Sequence, residues 1–120
     1  MKHIITLLLI FITSDIFGQK QVDIKDIKAH VGDTVTISAV VTSTKYIQGK
    51  FVTLLNLGAK YPNQLLTVVI RGDDRNKFKE APEEMFQGKE ILVTGIVEIY
   101  KDSPQINVTS NEQIVLILKG

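Results

Sequence analysis

Polar and apolar positions alternate most regularly over residues 33–45 (DTVTISAVVTSTK). Val35, Ile37, Ala39 and Val41 share one face, and Thr34, Thr36, Ser38, Val40 and Thr42 share the other. Alternation of this length, rich in β-branched residues, predicts a strand with one wet face. Residues 47–50 (IQGK) follow as a turn and 51–57 (FVTLLNL) as a second strand. Residues 58–63 (GAKYPN) hold two breakers, Gly58 and Pro62, and predict a loop. In 65–71 (LLTVVIR) the apolar run is nearly continuous, which predicts a strand buried on both faces or lying under a helix. Residues 89–101 (KEILVTGIVEIYK) alternate again, with Ile91, Val93, Gly95, Val97 and Ile99 on one face. An inward glycine in mid-strand predicts a kink or a close backbone approach. After a turn at 102–104, residues 105–108 and 114–118 predict one final strand, broken near Ser110 and Asn111.

Two stretches follow a helical pattern instead. Residues 23–30 (DIKDIKAH) place Ile24 and Ile27 at helical spacing, with Asp23 as a cap and Gly32 as a stop. Gly72, Asp73 and Asp74 end the third strand and offer caps for a helix over 75–87, which Pro82 divides or restarts. The fold class is therefore all-β with one short helical segment. Five strands with a helix between the third and fourth is the arrangement of a five-stranded OB-fold Greek-key barrel. A split barrel of another topology and a two-sheet sandwich are the alternatives. An immunoglobulin-type domain needs more strands than the chain offers. With 120 residues, no internal repeat and no linker, one domain is expected.

The first residues are read apart from the fold. Met1, Lys2 and His3 make a short basic start, 4–13 (IITLLLIFIT) is apolar and uncharged, and 14–18 (SDIFG) turns mixed and small. That order is a secretory signal pattern. The apolar run is shorter than the roughly 20 residues a bilayer span needs. The expectation is a signal peptide over 1–18 and a single OB domain over 19–120, exported to a periplasm or secreted, with no membrane span after cleavage. Cleavage removes Lys2 and Asp15 and leaves the net charge at +1. There is no cysteine, so packing must supply the stability that disulfides often give small exported domains. The near-neutral charge removes the strong field of a dedicated duplex-DNA binder, so a nucleic-acid role requires a local basic patch.

The run 51–64 (FVTLLNLGAKYPNQ), followed by Leu66, Thr67, Val68, Val69 and Ile70, resembles small OB-fold domains of exported bacterial proteins. It is also similar to OB modules that sit beside staphylococcal-nuclease-like domains. The phrase Asn56-Leu57-Gly58 with Tyr61-Pro62-Asn63 carries most of the likeness. The likeness extends to Gly88, Lys89 and Gly95 and to Pro104, Gln105 and Ile106, and spans residues 27–117. The resemblance implies a barrel that binds nucleic acid or oligosaccharide. It does not imply a nuclease, because the acidic and arginine motifs of the nuclease domain have no match here.

In an OB barrel the ligand crosses the second and third strands, flanked by the loops joining strands one to two and four to five. Those positions are Lys45, Tyr46 and Lys50 in the first loop, and Phe51, Asn56 and Arg71 on the middle strands. Tyr100, Lys101, Ser103 and Gln105 lie around the second loop. Rings beside cations suit a single strand, because bases stack on rings at about 1–3 kcal/mol each and cations track phosphates. The plainer alternative is that Tyr46 and Tyr100 cover the barrel mouth while the lysines keep it soluble. Residues 60–63 (KYPN) offer a binding lip or simply a turn, and the Pro and Asn favour the turn. The pairs Asp73-Asp74 and Glu83-Glu84 suit helix caps better than a hard-cation site, which needs several converging oxygens. His30 is the only histidine beyond residue 18, and one histidine makes no zinc site. No nucleophile–base pair, metal cluster or phosphate loop is visible, so no catalysis, metal or cofactor is expected. The expected partners are single-stranded nucleic acid or oligosaccharide, or an envelope protein docking on a barrel face or strand edge.

Overall fold

The computed structural model describes residues 20–118. The expected signal peptide, 1–18, lies outside the described residues. Seven strands are formed among them: β1 (Lys20–Gln21), β2 (Thr34–Ile47), β3 (Val52–Leu57), β4 (Leu66–Arg71), β5 (Glu90–Tyr100), β6 (Ser103–Val108) and β7 (Ile114–Leu116). β2 pairs antiparallel with β3, β3 with β4, β6 with β5, and β5 with β2, while β4 and β6 run parallel. These five pairings close a ring in the OB connectivity expected from the pattern. β1 and β7 are short additions beside β2 and β5. Closure removes the open strand edges that invite aggregation.

The long β2 takes part in both halves of the ring. Its first half pairs with β5, from Thr34 opposite Ile96 to Val40 opposite Glu90. Its second half pairs with β3, and the register slips between Val41 and Ser43. Thr42 sits in that bulge, its hydroxyl donating to the Asn56 carbonyl at 3.0 Å and to the Ala59 carbonyl at 2.6 Å. One extra residue flips the alternation. Before the bulge Val35, Ile37 and Val41 point inward and are fully buried. After it the inward positions are Thr44 and Tyr46, opposite the buried Leu55 and Thr53.

The core is filled from every ring strand, by Val35, Ile37, Leu55, Leu57, Leu66, Val68, Ile70, Ile91, Val93 and Ile106 among others. β4 is buried on both faces, as its apolar run predicts: Leu66, Val68 and Ile70 point in, and Val69 is only 3 % exposed on the other side. Gly95 makes the close approach expected of it, since a Cβ there would stand 2.5 Å from Ile106 Cγ2. The helix expected over 75–87 is two short pieces, a 3-10 turn at Gly72–Lys77 and α1 (Pro82–Met85), which starts on Pro82. Phe78 and Phe86 between and after them meet edge to face at 5.8 Å and join the core. The stretch at 23–30 is a 3-10 turn, Ile24–His30, capped by the Asp23 side chain.

Several boundaries differ from expectation. β2 runs on to Ile47, so Lys45 and Tyr46 stand on the strand and not in the first loop, which is the short turn Gln48–Lys50. The turn before the last strand is Lys101-Asp102, not 102–104; both residues have positive φ, 50° and 67°, as a two-residue type I′ hairpin requires. The expected final strand is two strands that follow one another along β5, β6 opposite Val97 to Tyr100 and β7 opposite Ile91 to Val93. Between them the chain leaves the ladder through a 3-10 turn, Asn111–Gln113, with a Ser110–Gln113 capping box.

Candidate ligand-binding face

Cross-strand partners share a face, so the register identifies the outer surface of the second half of the barrel. Lys45 pairs with Leu54 and Ile47 with Val52. Val52 pairs with Arg71, Leu54 with Val69 and Asn56 with Thr67. Thr67 continues to Gln105 and Val69 to Asn107, while Gln105 faces Glu98 and Ser103 faces Tyr100. A cleft of about 380 Å³ lies on this surface. Val52, Leu54 and Val69 supply apolar side chains to it, Tyr61 and Tyr100 supply rings, and Lys50, Arg71 and Lys101 supply cations.

Six of the residues expected at a ligand surface come together in this cleft: Lys50, Arg71, Tyr100, Lys101, Ser103 and Gln105. Arg71 Nε donates to Asn107 Oδ1 at 3.3 Å, and Asn107 Nδ2 donates to Glu98 Oε1 at 2.8 Å, which steadies the guanidinium on the face. The Lys101 ammonium lies 5.4 Å from the centroid of the Tyr100 ring. Lys45 is exposed on the same face beside Leu54, outside the cleft lining.

The remaining three are placed otherwise. Tyr46 lies on the opposite face, because the bulge at Thr42 turns it inward. Its ring lies 4.1 Å beneath the Arg75 guanidinium, which also pairs with Glu83. The hydrogen bonds that Arg75 donates to the Glu83 carboxylate raise the Arg75 pKa above the ordinary arginine value. Tyr46 therefore belongs to the packing between β2 and the helical segment. Asn56 faces the right way but is 4 % exposed and fully engaged: it donates to Ser43 Oγ and accepts from Thr67 Oγ1, both at 3.1 Å. Phe51 sits outside the lining, between the Gln48–Lys50 turn and β3, with φ 53° and its residue 62 % exposed.

Residues 60–63 form the expected turn, Asn63 N–H donating to the Lys60 carbonyl at 2.7 Å across a cis Tyr61-Pro62 peptide. The same turn carries Tyr61 to the cleft. Tyr61 thus serves both readings of 60–63, turn and lip, whereas Gln64, Thr67 and the apolar Val52, Leu54 and Val69 were not singled out from the sequence as site residues. Counting back in twos from Arg71 reaches Val69 and Thr67, so the alternation of β4 held part of that signal. His30 Nδ1 lies 3.2 Å from Asp33 Oδ2 at the start of β2, far along the chain from the cleft residues. Among the described residues no three His, Asp or Glu side chains converge as a metal site would need, and no helix is long and apolar enough to cross a membrane.

Ring order, helix position and the cleft over β3, β4 and β6 define the class of molecule: an OB barrel with an open, cation-rimmed face. No protein-family model matches the sequence, and no curated protein matches it. Solved structures agree with the fold. The chain is similar to an OB domain from Methanosarcina mazei at a TM-score of 0.60 and 19% identity, covering 83% of this chain and 85% of that one. It is similar to aspartyl-tRNA synthetase from Entamoeba histolytica at 0.55 and 20% identity, covering 82% of this chain and 21% of the enzyme. An OBody bound to hen egg-white lysozyme matches at 0.54 and 16% identity, covering 85% of this chain and 95% of that one. The chain spans about a fifth of the length of the synthetases it matches.

Proposed function

We propose that this chain is an exported binding module that lays a single-stranded nucleic acid across the outer face of β3, β4 and β6, and that it catalyses no reaction. The observation that carries the reading is the gathering of an apolar floor, two exposed tyrosines and three cations in one cleft. Stacking surfaces beside a cationic track are what single strands bind. The net charge of +1 makes this track local rather than global, which suits a single strand better than a duplex. Likeness to OB domains of synthetases named for tRNA supports the ligand class, and the signal-like start of the chain supports export.

Anisotropy of a labelled oligonucleotide about 12 nucleotides long, within the site size of an OB barrel, tests the reading. Binding is expected at low salt and to weaken as salt rises. Lys50→Ala and Arg71→Ala are each expected to shallow the log–log salt slope by about 0.7, the value for one phosphate contact on a single strand. Lys79→Ala, on the helical segment away from the cleft lining, is expected to leave it unchanged. Absence of binding, or binding indifferent to salt, would exclude the proposal. One observation favours a second reading as a protein-docking module: the OBody of the same fold holds a protein, lysozyme. Recovery of a single envelope protein and no nucleic acid on the immobilised barrel would favour that reading.

A further inference from the structure

We infer that Gln105 reads the amino-bearing edge of an unpaired base, adenine or cytosine, in the cleft; the inference rests on the nucleic-acid reading of the same face. Gln105 stands in mid-β6 between Thr67 of β4 and Glu98 of β5. It is 8 % exposed and lines the cleft. Its carboxamide has no hydrogen-bond partner among the described residues. The buried atoms left without a partner among the described residues are Thr53 Oγ1 and Gln64 Oε1, so the Gln105 amide opens onto the cleft, where a ligand can reach it.

The neighbouring amides make the contrast plain. Asn56 uses its nitrogen on Ser43 and its oxygen on Thr67. Because the Thr67 hydroxyl gives its hydrogen to Asn56, it can only accept from Gln64, whose Nε2 donates to it at 3.2 Å. That chain orients the Gln64 amide and leaves its Oε1 buried without a donor. The wall of the cleft thus satisfies its inner amide and leaves hydrogen-bonding capacity on the two at the lining, Gln64 and Gln105.

The surroundings select the occupant. A carboxamide presents an acceptor beside a donor, which pairs in two-point fashion with the amino group and neighbouring ring nitrogen of an unpaired adenine or cytosine. The apolar floor and the rings of Tyr61 and Tyr100, 71 % and 56 % exposed, suit a flat base. Arg71 and Lys101 stand ready for the phosphates on either side. A neutral oligosaccharide would engage the amide and leave those cations without counter-charge.

Three single strands of equal length test the inference: oligo-dA, the same strand built from purine lacking the 6-amino group, and an abasic strand. The amino-less purine keeps the stacking surface and loses the donor. Wild type is expected to bind oligo-dA about tenfold more tightly than the amino-less strand, and both more tightly than the abasic one. Gln105→Met is expected to erase the tenfold gap while keeping the salt slope and a melting temperature no lower than wild type, since no internal hydrogen bond is lost. Gln105→Leu serves as a second apolar replacement. Lys50→Ala is expected to weaken both purine strands equally and keep the gap. A wild type without the gap, or a gap that survives both Gln105 replacements, overturns the role of Gln105 and leaves the nucleic-acid reading standing. Failure of all three strands to bind at low salt overturns that reading, and the role of Gln105 with it.

Discussion

Thr53 is wholly enclosed by the barrel, and its hydroxyl has no hydrogen-bond partner among the described residues. A buried hydroxyl left unpaired costs about 1–3 kcal/mol of desolvation. Valine has nearly the same shape and suits a strand. Thr53→Val is therefore expected to raise stability by about 1 kcal/mol, read as a higher midpoint in a urea melt with unchanged slope. A lower midpoint would mean that the hydroxyl is satisfied in solution. Phe51 poses the opposite case, a large side chain on a backbone that favours glycine. Its φ of 53° is held by its N–H donating to the Gln48 carbonyl at 3.2 Å and by its carbonyl accepting from Gly72 N–H at 2.7 Å. The left-handed region costs a non-glycine residue about 1–2 kcal/mol, partly offset by the greater freedom glycine loses on folding. Phe51→Gly is expected to stabilise by up to about 1 kcal/mol in the same melt. The ring lies outside the cleft lining, so the same variant is expected to leave oligonucleotide affinity unchanged. Weaker binding would return Phe51 to the ligand surface.

At the scale of elements, the interruption between β6 and β7 depends on one side chain. Gln113 Oε1 accepts from Thr109 N–H at 2.8 Å and Ser110 N–H at 3.1 Å, while its Nε2 donates to the Thr94 carbonyl at 2.9 Å. The amide thus takes the place of the ladder bonds that the chain abandons over 109–113. Without it two backbone N–H groups and a strand carbonyl lose their partners, each worth about 1 kcal/mol. Gln113→Ala is expected to destabilise by about 2 kcal/mol and to speed hydrogen exchange first in Ile114–Leu116. Uniform acceleration across the barrel, with no excess in β7, would argue against a local role.

The ring as a whole depends on the one parallel seam, where β4 meets β6 from Thr67 opposite Gln105 to Ile70 opposite Val108. Ile106 stands in that seam, fully buried and against the backbone of Gly95. Truncating a buried isoleucine removes its transfer energy and leaves a cavity. Ile106→Ala is expected to cost about 2–5 kcal/mol and to lower the single cooperative transition of the whole domain, because every ring strand shares this core. Two separated transitions would show that the halves of the barrel fold independently. The same seam lays the polar Gln105 and Asn107 beside Thr67 and Val69, so ring closure and assembly of the cleft are one event.

Much of this was legible in the chain. Alternation at 33–45 and 89–101, the apolar run at 65–71 and the breakers between them determined the strands, their order and the all-β class, because side-chain burial in a sheet has a period of two. Pro82 and Gly72 located the helical segment, and the expected loops and middle strands marked six of the residues that line the cleft, four of them cations or rings. Three things were decided only in three dimensions. The bulge at Thr42 reversed the facing of Tyr46, since a one-residue slip is invisible to periodicity when both faces hold threonines and valines. The hydrogen bonds of Ser43 and Thr67 engaged Asn56, which no spacing along the chain could foretell. The parallel pairing of β4 with β6 brought Gln105 to a wall shared with Gln64 and Tyr61, joining residues more than 40 positions apart. A sequence states which side chains avoid water; which polar groups find each other depends on how the strands close.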